Sequence, residues 1–273
     1  MRSGVERIKV YARVRDFQDS EIQGTTAEEA VAVQINEATC VVLETLSSST
    51  INAKTKTRRT PFTFDQCFSS APSVGKGALA SQEDVYNAVG KPLVDNALSG
   101  YNSSFIVYGQ TGSGKTHTVY GPPNALGSAL EGLIPRVCNE VFARQQASAA
   151  NIVIHDVSVS LCEVYQERVY DLLSSRRQAL EVGGETTVNG FFVRGLQTTT
   201  VGGYSDVVLL LQQAEQNKSY GATAKNERSS RAHTLFTMDI VSSSPESGAP
   251  KVRSKIVLAD LAGCENVKTA KSD

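Results

Sequence analysis

Apolar and polar residues alternate from Ile8 through Val10, Ala12 and Val14, with Lys9, Tyr11, Arg13 and Arg15 between them, so the chain opens on a sheet strand. Between residues 30 and 64 three short β-rich pieces, AVAVQI, CVVLETL and PFTFD, are separated by polar turns. They predict a small antiparallel lobe with a basic tip at Lys54–Arg59. After a loop rich in Ser, Gly and Ala the spacing becomes helical. Ser81 and Asp84 form a capping box, Val85, Val89, Val94 and Leu98 share a face, Gly100 is a stop, and Pro92 predicts a bend. The apolar run SSFIVY then passes directly into glycine-rich sequence and on into a helix. Pro135 predicts another helix from about residue 135.

Residues 152–173 begin as alternating strand and end in polar-aromatic sequence, and GFFVRGLQTTTV reads as a short hairpin strand and loop. DVVLLLQQAEQNKSYGA has helical spacing, while HTLFTMDIV and KIVLADLAG are strands on either side of the loop SSSPESGAPK. The order is mixed α/β without an internal repeat or a linker that forces a division, so residues 1–273 are expected as a single domain.

Composition narrows the function by exclusion. A formal net charge of -1 carries no global basic field, which argues against nucleic acid or an anionic membrane surface as the main partner. Five cysteines lack C-x-x-C spacing and lie in or beside apolar sequence, which suits buried reduced thiols better than disulfides or zinc. The N-terminus lacks the apolar core of a signal peptide, and no run approaches the roughly 18 apolar residues of a membrane helix.

The chemistry enters at Gly109-Gln110-Thr111-Gly112-Ser113-Gly114-Lys115-Thr116, which satisfies G-x-x-x-x-G-K-[ST] between a strand and a helix. Glycines let backbone N–H groups turn towards phosphate oxygens, and the helix N-terminus adds the positive end of its dipole. Lys115 would reach the terminal phosphates and Thr116 would ligate Mg²⁺. No N-K-x-D follows, since Asn217-Lys218 continues into Ser219-Tyr220, and neither H-R-D nor D-F-G of a protein kinase is present. Asp260, at the end of KIVLAD, is the candidate to hold Mg²⁺ through water, and it leads into Leu261-Ala262-Gly263-Cys264-Glu265. Upstream, Asn226-Glu227-Arg228-Ser229-Ser230-Arg231-Ala232-His233 is a polar loop able to close over phosphates. Taken singly, each has a plainer reading, a solvated turn for SSR and a strand entering a tight turn for DLAG.

Together with the phosphate loop these segments resemble the two switch motifs of the kinesin motor family, N-x-x-S-S-R-S-H and D-L-A-G-x-E. FTFDQCF, SQEDVY, GYNSSFIVYGQTGSGKTHTVYG, CEVYQERVYDLL and YGATAKNERSSRAH are similar to kinesin segments in kinesin order, over essentially the whole chain. The resemblance implies a P-loop NTPase fold. Its central sheet would be mixed and mostly parallel, flanked by helices, with a small antiparallel β lobe near the N-terminus.

It also implies an ATPase that couples ATP hydrolysis to movement on microtubules, with ATP/ADP and Mg²⁺ as cofactors and tubulin as partner. The location would be the cytoplasm and its cytoskeleton, without nucleic acid or a membrane span, and any dimer would form through sequence outside this chain. The alternative is a kinesin-like head that binds nucleotide or tubulin without productive motility.

By family position Thr116 and Ser230 would ligate Mg²⁺, with Asp260 holding it through water. Ser229 and the Gly263 N–H would sense the γ-phosphate, and Arg231 would pair with Glu265 around the attacking water. Arg13 and His117 would flank adenine. Lys268 and Lys271 take the place of tubulin-facing residues, whereas the tip at Lys54–Arg59 reads better as solvated. Three positions depart from the motifs: Asp16 stands where R-x-R-P has proline, Ala232 where the first switch has Ser, and Cys264 where the second has Ser. Residue 273 falls just past the second switch, where the family continues with its main microtubule-binding helix and an interior strand. The domain is therefore expected to be incomplete at its C-terminus, and the isolated chain unstable or aggregation-prone.

Overall fold

A computed structural model describes residues 7–18, 21, 33–36, 38–46, 56–72, 79–147, 152–176, 178–185, 190–220 and 231–265. The chain forms two compact units, Met1–Ser81 and Gln82–Asp273.

In the first unit, β1 (Tyr11–Val14) pairs in parallel with β5 (Gln66–Ser69). The strand begins three residues later than the alternation from Ile8 suggests, because its partner begins at Gln66. Asp65, just before that start, accepts the Val10 amide at 2.8 Å and pairs with Arg7 at 2.5 Å, which leaves Ile8 exposed. The expected lobe is present: β2 (Val33–Asn36), β3 (Thr39–Leu46) and β4 (Lys56–Thr63) form an antiparallel sheet in that order. Pairing of β4 already runs from Lys56, so Arg58 and Arg59 sit in an exposed strand rather than at a turn, and Arg59 donates to Gln34 at 2.8 Å. Lys54 lies outside the described residues. Phe68, Ala71 and Cys40 are buried here.

The second unit opens with α1, a continuous helix made of Gln82–Val85, a π-helical turn at Tyr86–Gly90, and Lys91–Leu98. Pro92 cannot donate in the i to i−4 ladder, and the irregularity lies just before it, where the Lys91 N–H reaches back to Tyr86. Val85, Val89, Val94 and Ala97 are buried, and Gly100 ends the helix with φ +88°.

Seven strands then build one sheet in the order β6 (Ser103–Val107), β14 (Val252–Asp260), β13 (His233–Ser243), β7 (Val153–Tyr165), β8 (Arg168–Asp171) and β9 (Ala179–Leu180). The seventh, β12 (Thr199–Thr200), also pairs with β7. The sheet is mixed as expected, but the proportion differs. Among the described residues of this sheet only β6 and β14 are parallel, because β7–β8 and β13–β14 are joined by connections too short for a crossover helix. A separate hairpin pairs β10 (Val182–Glu185) with β11 (Gly190–Val193).

Helix α2 (Lys115–Val119) follows the glycine-rich loop. Helix α3 (Leu133–Gln146) packs on α1 and on α4 (Tyr204–Tyr220), and the second half of α1 packs on β6, β13 and β14. In β13 burial alternates strictly, with Thr234, Phe236, Met238, Ile240 and Ser242 turned inward. Each fully buried side chain such as Phe236 contributes roughly 1.5–3 kcal/mol by leaving water. This rigid centre holds the ends of β6 and β14.

Candidate functional site

The parallel strands β6 and β14 finish in register, with Val107 opposite Asp260. A crevice beyond the carboxyl ends of parallel strands is where open α/β sheets bind ligands. From Val107 the chain enters Gly109–Thr116, where Gly112 and Gly114 take φ of +77° and +94°, a region that strains any side chain. Helix α2 is only five residues long, because Gly121 is left-handed and is followed by Pro122 and Pro123. The excursion from Tyr120 returns when Gly132 donates to the Tyr120 carbonyl at 3.2 Å.

Lys115 Nζ donates to the Gly109 and Gln110 carbonyls, both at 2.8 Å, so its ammonium lies inside the loop. Thr116 Oγ1 donates to Asp260 Oδ2 at 2.7 Å. Asp260 is 8% exposed and its Oδ1 is buried without a hydrogen-bond partner. Burial pushes the Asp260 carboxyl above its usual range, against the pull of Thr116, Lys218, Lys115 and His233. An orphaned carboxylate oxygen beside a hydroxyl and an ammonium suits a hard divalent cation shared with phosphates. No cluster of three His, Cys, Asp or Glu side chains able to hold a metal occurs among the described residues.

After Asp260 the chain runs alongside the phosphate loop. Leu261 donates to the Val107 carbonyl and Cys264 to the Gly109 carbonyl, each at 3.2 Å. Glu265 accepts the Thr111 amide at 2.8 Å and also the Thr111 hydroxyl. These bonds, the hydroxyl's first, hold the Glu265 carboxyl below its ordinary range. A Cβ at Gly263 would collide with Thr111 Oγ1 and come within 2.6 Å of Glu265 Oε1, so glycine here leaves the room that the Thr111–Glu265 contact occupies. From the first switch, His233 Nδ1 accepts the Ala262 amide at 3.0 Å.

The family model of the kinesin motor domain matches residues 13–273. The chain belongs to the kinesin motor-domain family. It is 33% identical to kinesin-like protein K39 of Leishmania chagasi over 98% of this chain and 31% of that protein. It is 38% identical to kinesin-like protein KIN-12B of Oryza sativa subsp. japonica, over 76% of this chain and 19% of that one. For human kinesin-like protein KIF13B the figures are 33% identity, 96% and 14%. The chain thus spans less than a third of the length of these three relatives. A solved structure described as that of a fast kinesin matches with a TM-score of 0.80 at 31% identity, covering 97% of this chain and 68% of that one.

With the kinesin motifs laid on this geometry, Gly109–Thr116, Asp260, Gly263 and Glu265 meet at one end of the sheet. Arg231 is exposed, two residues before β13 begins. Ser229, Ser230, Lys268 and Lys271 lie outside the described residues. Arg13 lies in the first unit, on β1, where Nε donates to Ser70 Oγ at 3.4 Å and burial lowers the guanidinium pKa. His117 is exposed, and Gln82 Nε2 donates to its carbonyl at 2.6 Å. At the proline-less position Asp16 Oδ1 accepts the Phe17 amide at 2.9 Å, while Arg15 pairs with Glu21 at 2.5 Å, so local polar contacts stand in for the ring. Cys264 is exposed, contrary to the expectation of buried thiols; the other cysteines are buried or half-buried, and all five are free.

Two residues of this kinesin site were not singled out from sequence. His233 closes the first switch motif, and its place in that motif was the available signal. Lys218 lies on the face of α4 that buries Leu211 and Ala214, a spacing of i, i+3 and i+7 that was visible in the chain. Its ammonium sits 5.1 Å from the Tyr120 ring centroid and lines a cavity of about 310 Å³ with Thr116, Tyr120, Glu163 and Asp260. Burial lowers its pKa, opposed by Asp260, Glu163 and Glu215.

Proposed function

We propose that this chain is the ATP-hydrolysing head of a microtubule motor, in which residues 1–273 act as a single motor domain. Support for one domain is that the family match runs through both compact units. The observation that carries the activity is the convergence of Lys115, Thr116, Asp260 and Glu265 on one phosphate loop.

Lys115 exchanges the carbonyls of Gly109 and Gln110 for the terminal phosphates of ATP, whose charge offers a stronger partner. The loop amides from Gly109 to Gly114 bind the phosphate chain, and Arg13 and His117 flank the adenine. Mg²⁺, when bound, would neutralise charge on the terminal phosphates, held by Thr116 and Ser230 and, through water, by Asp260. Ser229 and the Gly263 N–H grip the γ-phosphate. Arg231 pairs with Glu265, which excludes bulk water and orients one water in line with that phosphate. Hydrolysis removes what the two switches hold, and they relax. Kinesins generally are microtubule-associated cytoskeletal motors, so the partner is tubulin and the place the cytoplasmic cytoskeleton.

Steady-state ATP turnover with and without microtubules tests the reading. Stimulation by microtubules supports a motor head, and the assay is run on this chain and on a longer form that carries the family's main microtubule-binding helix; turnover that ignores microtubules in both would reject it. A second reading, a head that binds nucleotide or tubulin without stepping, draws on Asp16 standing where the family has proline beside Arg15. It predicts nucleotide binding with no such stimulation.

A further inference from the structure

Thr111 has no role in the motif-based assignment beyond membership of the phosphate loop, yet both of its polar donors go to the carboxylate of Glu265. Two donors on one residue and two oxygens on the other make a clamp rather than a chance contact. The Leu261–Val107 and Cys264–Gly109 hydrogen bonds run the second switch alongside the loop, and Gly263 leaves the room that the clamp needs. Thr111 and Glu265 are both exposed, so the clamp is weak and can open readily.

We propose that Thr111 is a positioning residue that holds Glu265 on the phosphate loop, away from Arg231, and gives it up when a terminal phosphate arrives. This rests on the reading above that Glu265 acts in hydrolysis by pairing with Arg231. The physical drive is competition between anions. A γ-phosphate entering the loop brings negative charge against a carboxylate that already occupies loop donors, and the repulsion favours the cation at Arg231 instead. The depressed pKa of Glu265 agrees with a carboxylate held in its charged form at this place. The clamp thus restrains the step that assembles the Arg231–Glu265 pair, and the Thr111 hydroxyl sets part of that restraint.

The test compares the parent, Thr111→Val, which keeps shape but removes the hydroxyl, and Thr111→Ser, which restores it. Without microtubules Thr111→Val should raise kcat about threefold or more with a smaller change in KM, the order expected for losing one exposed charge-assisted hydrogen bond. Thr111→Ser should match the parent. A kcat at or below the parental value in Thr111→Val, or Thr111→Ser behaving like Thr111→Val, would overturn the proposal. Should the parent show no turnover, it is the ATPase reading that fails. The clamp is then judged by whether Thr111→Val tightens a non-hydrolysable ATP analogue relative to ADP, and an unchanged ratio rejects it. Amide exchange over residues 109–114 is a measurement that needs no Thr111 variant. Faster exchange at Thr111 in Glu265→Ala than in the parent supports the clamp, and equal rates overturn it.

Discussion

Replacing Asp260 by Asn separates what this carboxylate does for folding from the role proposed for it towards Mg²⁺. The amide oxygen can still accept the Thr116 hydroxyl, which lies 2.7 Å from Oδ2 in the parent. A charge-assisted hydrogen bond of about 1.5–3 kcal/mol becomes a neutral one of about 0.5–1.5 kcal/mol, a loss on the order of 1 kcal/mol. Against this, the substitution removes a charge that burial already disfavours. The new amide nitrogen takes the place of Oδ1, which is buried without a partner, so that defect is carried over rather than created. The opposing terms are similar, and stability should change by no more than about 1 kcal/mol, or about 2–4 °C in Tm for a domain of this size. Metal-dependent binding has no such compensation, because a neutral amide orients metal-bound water poorly. A fall of about 10–100-fold in Mg²⁺-dependent nucleotide affinity is expected. Titration of a fluorescent ADP with and without Mg²⁺, together with a thermal melt, reads both quantities. An Asn variant whose affinity responds to Mg²⁺ as the parent's does would refute the assignment of Asp260. A Tm loss of more than about 8 °C would refute the balance of energies.

Other expectations follow from contacts away from the metal position. Glu131, 8% exposed, accepts the Gly127 amide at 2.5 Å and the Tyr204 hydroxyl, so Tyr204→Phe should cost about 1.5–3 kcal/mol and lower Tm by roughly 3–12 °C. An unchanged melt would show that this brace on the loop after α2 is idle. Phe236→Ala removes a fully buried ring from β13 and should cost about 3–5 kcal/mol, read by urea denaturation; a loss under about 1 kcal/mol would mean the sheet core closes over the gap. The Arg15 hydrogen bond holds the Glu21 carboxyl down to about 2 from 4.5. Because the folded pKa is depressed, the contribution is present above about pH 4.5 and is lost as pH falls towards 2. Glu21→Gln should therefore flatten the stability profile across that window, and an identical profile would discount the pair.

Much of the fold was legible because its signals are local. The alternation in HTLFTMDIV became the alternating burial of β13, and the strand–glycine loop–helix order placed the phosphate loop at the end of β6. The hairpin of β7 and β8 was not read, since its turn residues Gln166 and Glu167 take φ of +49° and +61° without the Gly or Asn that usually announces such a turn. The start of β1 depends on where β5 begins, 55 residues away across the Val10–Asp65 contact, and the apolar pattern carries no information about that distance. In the site, the motifs named Asp260 and Glu265, but not the hold of Thr111 on Glu265 across 154 positions. Such a bond is a property of packing at the sheet end, which depends on the lack of a side chain at Gly263.

The most direct test of the account is a comparison of ATP binding and hydrolysis by the parent and Glu265→Ala. Glu265 lies at the loop through a hydrogen bond of 2.8 Å from the Thr111 amide, but is not among the groups proposed to grip the phosphates. The account predicts ATP bound with close to parental affinity and steady-state turnover suppressed. Unchanged turnover in the variant would contradict it.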